Sequence, residues 1–337
     1  MACIIRKLIV SIVLFATLAG AALAYWSYGL AHQPLQISDP DTLFEVERGM
    51  HMKSVIRKMR QQHMLQGEVE LVYFASRVWS QPQQLQAGVY AIQPGMSLTE
   101  LWSLFASGDQ HKFQITLVEG QTLAQWLEQL NGHQYLEPMS EAAWQQLEQR
   151  LKPQQWPSLE GALAPDTYSF YAGSKAETII EMAFLVQQKW LENAWTQRSE
   201  RLPLQDPYEL LIMASIIEKE TGMKAERELV SSVFVNRLHA GMRLQSDPTT
   251  IYGIENFDGN LTRAHLRELT PYNTYRIDGL PPTPIAMPSA ASLYAAAQPA
   301  VSPFYYFVAD GSGGHVFSET LEQHNRAVNR YQRGISN

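Results

Sequence analysis

The stretch Leu210-Leu-Ile-Met-Ala-Ser-Ile-Ile-Glu-Lys-Glu-Thr-Gly222 is apolar almost without interruption and then ends in two carboxylates, Glu218 and Glu220. A carboxylic acid at the edge of a buried helix can hold a proton near neutral pH, which is what general acid catalysis requires. For Glu218, desolvation by Leu211, Ala214 and whatever packs over them, together with the negative end of the helix dipole, is expected to favour the protonated form. Positions two apart on a helix point to different sides, so Glu218 and Glu220 are not expected to share one cleft as a carboxylate pair. The same residues also read as a solvated helix end with no chemistry, and the stretch alone leaves both readings open.

Other chemistries find little in the chain. The histidines are scattered, no H-E-x-x-H occurs, and Cys3 is the only cysteine, so a metal centre is not expected. There is no Walker sequence, no dinucleotide-binding fingerprint and no G-x-S-x-G elbow, so no cofactor is expected either. A semi-buried acid among Asn, Gln, Tyr, Arg and Asp residues suits carbohydrate chemistry. A net charge of −7 argues against a nucleic-acid partner.

The helix carrying the two carboxylates has a clear start, with Asp206 at the N-cap, Pro207 at the first helical position and Glu209 placed for a capping box. Gly222 is the expected stop. Apolar residues all round mark it as a core helix. A second, amphipathic helix is expected over 225–239, burying Leu229, Val230, Val233, Phe234 and Leu238, with Gly241 ending it. Asp247 before Pro248 signals another N-cap. Pro281, Pro282, Pro284 and Pro288 make a rigid, irregular segment suited to a cleft wall. A helix near 289–298, a hairpin turning at Asp310-Gly-Ser-Gly-Gly314 and a last helix from Thr320 close the chain.

Upstream, Leu8 to Tyr28 carries no charge and is long enough to cross a bilayer. Arg6 and Lys7 precede it, which places residues 1–7 in the cytoplasm and everything beyond the span outside, in the periplasm. Ala22-Leu-Ala24 also fits a signal-peptide cleavage site, so anchor and removed leader both stand. A polar linker is expected at 29–42. Three strand, glycine and helix copies follow, around Gly49, Gly95 and Gly120, unevenly spaced and therefore not a solenoid. Val118-Glu-Gly-Gln-Thr-Leu123 in the third copy resembles the LysM signature, which suggests a small module over 43–130. Residues 132–206 read as mostly helical, with Leu159–Tyr168 as a turn segment. The expected fold is α+β: a transmembrane helix at 8–28, a small LysM-like α+β module, and a larger mixed α+β domain over 131–337.

Ala214-Ser-Ile-Ile-Glu-Lys-Glu-Thr221, Val233-Phe-Val-Asn-Arg-Leu238, Gly241-Met-Arg-Leu-Gln-Ser-Asp-Pro248, Tyr272-Asn-Thr-Tyr275 and Gly279-Leu-Pro-Pro282 occur in that order. Together with Tyr306-Phe-Val-Ala-Asp-Gly311, His315 and Phe317, they resemble the endolytic murein transglycosylases, the YceG-like family. The resemblance implies cleavage of peptidoglycan glycan strands between N-acetylmuramic acid and N-acetylglucosamine, without water, to leave 1,6-anhydro ends. It places the general acid at Glu218 and leaves Glu220 structural; the N-terminal span adds an inner-membrane location, with cell-wall synthases as candidate partners. Asn236, Gln245, Ser246, Asp247, Tyr272, Asn273 and Tyr275 offer hydrogen bonds and aromatic faces for a saccharide groove. Asp247 also reads as a helix cap, Asn236 as a surface residue and the tyrosines as core. The competing functions are a non-catalytic peptidoglycan-binding protein and a muramidase that uses water.

Overall fold

The computed structural model describes residues 2–80 and 84–333. The first residue of the expected cytoplasmic tail and the last four of the expected 131–337 domain lie outside them. The chain forms two compact units: 1–113 with 169–173, and 114–168 with 174–337.

The first unit begins with α1 (Ala2–Ala31), whose apolar span Cys3–Ala31 is long enough to cross a membrane and is exposed until its last turn. The expected linker is not free. Ala31 and Leu35 are buried, Leu35 N–H donates to the Met96 carbonyl (2.8 Å), and Gln36 N–H to that of Met64 (2.9 Å). The polar composition of 29–42 concealed these two apolar contacts and the backbone pairing beside them.

Strand β1 (Leu43–Val46) is followed by α2 (Met52–Gln61) and α3 (Val69–Trp79); β2 (Gly88–Ala91) is followed by α4 (Leu98–Ser107). β1 and β2 pair antiparallel from Leu43 opposite Ala91 to Val46 opposite Gly88. Phe44, Val55, Ile56, Met59, Tyr90, Leu101, Trp102 and Phe105 fill the core between the strands and helices. Burying side chains of this size contributes roughly 1.5–3 kcal/mol each. In all three sequence copies the glycine takes a positive φ (Gly49 83°, Gly95 83°, Gly120 76°), so each copy is a strand, a left-handed turn and a helix.

The third copy departs from the other two. Its strand β3 (Lys112–Leu117) pairs with β5 (Asp166–Tyr171) rather than with β1 or β2. Its helix α5 (Leu123–Asn131) belongs to the second unit. The physical tie is Glu160, whose carboxyl accepts the Leu123 N–H at the start of α5 (3.0 and 3.2 Å). β4 (Leu136–Glu137) and α6 (Glu141–Leu151) precede β5. β5 itself falls partly in a segment read as a turn and otherwise as helical; Tyr168 and Phe170 alternate with more exposed neighbours, a period-two signal masked by the adjacent Gly and Pro.

β6 (Ser174–Lys175) pairs parallel to β4 and leads into α7 (Ala176–Thr196). Next come α8 (Pro207–Glu220), α9 (Arg227–His239), the short α10 (Asp247–Tyr252) and α11 (Ala290–Ala297). α8 is the centre of this unit: every residue from Leu210 to Ile217 is buried, and it packs against α7, α9, α10 and α11. β7 (Tyr306–Ala309) and β8 (His315–Ser318) form the terminal hairpin, with Ala309 opposite His315, and α12 (Leu321–Tyr331) closes the fold behind a Thr320 capping box. Asp310 shapes the hairpin turn by accepting the N–H groups of Ser312 (2.7 Å) and Gly314 (3.1 Å).

Candidate active site

α8 begins as its sequence dictates. The Asp206 carboxylate accepts the Glu209 N–H (2.9 Å), and Pro207 occupies the first turn, where no amide partner is needed. The Glu209 side chain reaches one residue further back than a capping box requires, to the Gln205 N–H (2.7 Å). Its end is different from expectation: Thr221, with φ −139° and ψ 127°, breaks the helix in extended backbone, and its hydroxyl accepts the Met223 N–H (3.0 Å). Gly222 is therefore not a left-handed cap.

This sharp ending sends the two carboxylates to different surroundings. Glu218 turns inward, with its side chain only 4% exposed. Its Oε1 faces Arg227 Nη2 at 3.3 Å, and its Oε2 accepts the Ser289 N–H (2.8 Å) and Oγ–H (2.5 Å). Arg227 opens α9 and Ser289 caps α11, so Glu218 ties three helices together and places its negative charge at a helix N-terminus. It does not line the cleft described next.

Glu220 does. It sits in a cleft of about 420 Å³ together with Arg237, Gln245, Asp247, Tyr275, Tyr306 and His315, closed on one side by α12. Ser246 Oγ donates to its Oε1 at 2.5 Å. Burial pushes the Glu220 carboxyl up to about 7, and the Asp247 charge adds to this, while the Ser246 hydrogen bond, His315 and Arg237 pull the other way. A group poised there is protonated for part of the time at neutral pH and can both give and take a proton.

The walls are held by buried polar contacts. Arg237 Nε donates to the Tyr305 carbonyl (2.7 Å) and Nη1 to that of Leu244 (2.6 Å), and its guanidinium lies 5.3 Å from the Tyr306 ring centroid. Burial lowers the Arg237 pKa from the usual guanidinium value. Tyr275 donates its hydroxyl to Asp247 Oδ1 (2.7 Å), and burial followed by that carboxylate raises the phenol well above its ordinary range. Gln245 adopts a positive φ of 51°, an unusual backbone for a residue with a side chain, and its N–H is held by the Thr274 carbonyl at 3.1 Å. His315 Nδ1 meets Glu226 Oε2 at 2.7 Å and its backbone N–H donates to Oε1 (2.9 Å), so Glu226 fixes the imidazole on the cleft wall. Among the described residues no group of three or more His, Cys, Asp or Glu side chains is placed to hold a metal ion.

Of the seven groove residues expected from sequence, four gather here: Gln245, Asp247 and Tyr275 line the cleft, and Ser246 holds Glu220. Three do not. Asn236 Nδ2 straps down the chain before β7 by donating to the carbonyls of Ser302 (3.0 Å) and Phe304 (2.8 Å). Asn273 is fully buried and donates to the His265 and Glu268 carbonyls (3.0 and 2.6 Å). Tyr272 donates to or accepts from Thr283 (2.9 Å) and packs edge-on against Tyr252. Asp247 is the first helical residue of α10, with Ser246 at its N-cap. Tyr252 in turn donates to Glu160 (3.1 Å), a second buried carboxyl that desolvation pushes up to about 7 and that is not among the residues lining the cleft. Glu226, His315, Arg237 and Tyr306 escaped the sequence reading as site residues; His315 stood in a recognised motif, but nothing local tied it to Glu226.

A core helix that brings a buried carboxyl to a polar, aromatic-edged cleft is an arrangement suited to acid-base chemistry on a polyhydroxylated substrate. Residues 44–330 match the YceG-like family model, and the chain belongs to that family. It is 29% identical to an endolytic murein transglycosylase of Bacillus subtilis, over 89% of this chain and 87% of that protein. An endolytic murein transglycosylase of Streptococcus pneumoniae is 27% identical over 96% of this chain, which spans 65% of that longer protein. The crystal structure of a YceG-like protein, lmo1499 of Listeria monocytogenes, superposes with a TM-score of 0.51 at 27% identity, covering 85% of this chain and 98% of that one.

Proposed function

We propose that this chain is a membrane-anchored endolytic lytic transglycosylase of peptidoglycan, and that Glu220 rather than Glu218 carries its proton transfers. The observation that carries the assignment is the contrast between the two carboxylates. Glu218 is paired with Arg227 and Ser289 and does not line the cleft, whereas Glu220 lines it, accepts from Ser246 and has its pKa raised to about 7. In the protonated state Glu220 gives its proton to the glycosidic oxygen between N-acetylmuramic acid and N-acetylglucosamine, and the bond to the muramoyl C1 breaks. The resulting carboxylate takes the proton from the muramoyl C6 hydroxyl as that oxygen closes on C1. The net result is a 1,6-anhydro end with no water consumed, and Glu220 returns to its starting state. One carboxyl suffices because the internal hydroxyl replaces the water that an inverting hydrolase activates with a second.

The C6 oxygen needs the muramoyl ring to be held still, and Tyr275, Asp247 and Gln245 are the groups available on the cleft wall for this. The names of the B. subtilis and S. pneumoniae relatives support murein as the substrate. The apolar helix α1 supports an anchor in the inner membrane with the body in the periplasm, close to nascent strands and the synthases that make them. The strand, turn and helix copies of the first unit support a LysM-like, glycan-holding role. Incubating the purified full chain with glycan strands tests the reading. Anhydro-ended fragments are expected; reducing ends identify a hydrolase, and uncleaved strands that remain bound identify a binding protein.

A further inference from the structure

α3 has three kinds of surface. Val72, Ala75 and Ser76 are buried in the first unit; Glu70, Tyr73 and Arg77 form a polar edge, with Glu70 paired to Lys53 (2.7 Å) and Arg77 donating to Tyr73 (3.2 Å). The third surface is the stripe Leu71, Phe74 and Val78, exposed to 43%, 63% and 63%, at the spacing that aligns residues on one helix face. Nothing in the fold of this unit covers it.

α3 packs against the last turn of α1. Trp79 Nε1 donates to Ser27 Oγ (3.0 Å), and its ring meets Tyr28 edge-on at 5.2 Å. At the other end of α3, a Cβ added to Gly67 would lie 3.5 Å from Leu30 Cδ2. α3 itself is about 16 Å long, yet the residues at its end and just before its start meet α1 within about one turn, at Ser27, Tyr28 and Leu30. α3 therefore crosses α1 instead of running beside it. A helix that crosses a membrane-spanning helix where its apolar run ends, at the level of the exposed Tyr25 and Trp26, lies roughly in the plane of the bilayer surface.

From this geometry we infer that α3 is an in-plane interface helix that inserts Leu71, Phe74 and Val78 among the lipid acyl chains beside α1. The occupant of the stripe is lipid, because α3 packs on the end of α1, whose apolar residues are themselves exposed. The polar edge bearing Arg77 stays in water or among headgroups, as amphipathic interfacial helices require. Such a helix fixes the orientation of the first unit on the membrane, which a single spanning helix leaves free to rotate.

This inference rests on the anchor reading of α1, and one experiment separates the two. In the full chain carrying Cys3→Ser, an environment-sensitive dye is placed in turn at L14C, F74C and R77C, and the protein is reconstituted into phosphatidylethanolamine/phosphatidylglycerol vesicles with brominated acyl chains. The dye at F74C is expected to be quenched to an extent comparable with L14C and several-fold more than at R77C. Quenching at L14C with F74C indistinguishable from R77C overturns the interface helix and leaves the anchor intact. Shielding of F74C from water without quenching by bromine assigns the stripe to a protein partner and also overturns the inference. An unquenched L14C removes the anchor reading itself, and the inference with it.

Discussion

Replacing each carboxylate of α8 by its amide should produce opposite phenotypes. In Glu218→Gln, the Arg227 guanidinium, only 8% exposed, loses its counter-charge. Removing one partner of a buried pair costs about 3–5 kcal/mol, a large share of a domain's stability. In Glu220→Gln no ion pair like that of Glu218 with Arg227 is broken, and Ser246 can still donate to the amide oxygen. The wild-type carboxyl, raised from 4.5 to about 7, costs the fold about 3 kcal/mol at pH 8, where it is forced to ionise. The amide removes that cost. Chemical denaturation at pH 8 should therefore show Glu218→Gln destabilised and Glu220→Gln as stable as the wild type or more so. Release of anhydro-ended fragments from glycan strands should fall about 10²–10⁴-fold in Glu220→Gln, the usual contribution of a general acid. Under conditions where Glu218→Gln remains folded, it should retain much of its activity. A fully stable but inactive Glu218→Gln, together with an active Glu220→Gln, would refute the division of labour.

Four further outcomes follow from the same contacts. Glu220 and Glu160 both have folded-state values near 7 against 4.5; the native state binds the extra protons, so stability should fall as pH rises from about 4.5 to 7, and Glu160→Gln should flatten that slope in a pH series of denaturation midpoints. Ser246→Ala removes the bond that lowers the Glu220 value, so the alkaline limb of kcat/KM should move to higher pH, measured against a wild-type profile that declines above about 7. Tyr275→Phe deletes the hydrogen bond to Asp247; about 1 kcal/mol of stability and a loss of turnover are expected, by denaturation and product assay. Asn236→Ala should cost about 1–3 kcal/mol by leaving the Ser302 and Phe304 carbonyls without this donor, with the pH profile of the remaining activity unchanged.

Much of the positioning framework is readable from local signals. The Asp206 cap, the continuous burial of Leu210 to Ile217, the opposed directions of Glu218 and Glu220, the terminal hairpin and the Thr320 cap each depend on residues within a few positions of one another. Which carboxylate faces the cleft does not. That choice is made by Arg227 at the start of α9 and by Ser289, 71 residues beyond Glu218, and neither partner leaves a mark near the pair. The same reasoning accounts for Asn236, Asn273 and Tyr272. Their polar groups suit a sugar as well as they suit a backbone carbonyl or, for Tyr272, the Thr283 hydroxyl, and only the fold brings those partners close. The docked segment at 29–42 and the strand at 166–171 were obscured because their partners, Met64, Met96 and β3, are distant in sequence.

The most direct test of the central claim is a structure of Glu220→Gln with a glycan oligosaccharide spanning the cleft. The side chain at 220 should lie within about 2.6–3.2 Å of the scissile glycosidic oxygen, with the muramoyl C6 hydroxyl on the same side of the bond. A scissile oxygen that lies beyond reach of position 220 and against Glu218 or another acid would contradict it.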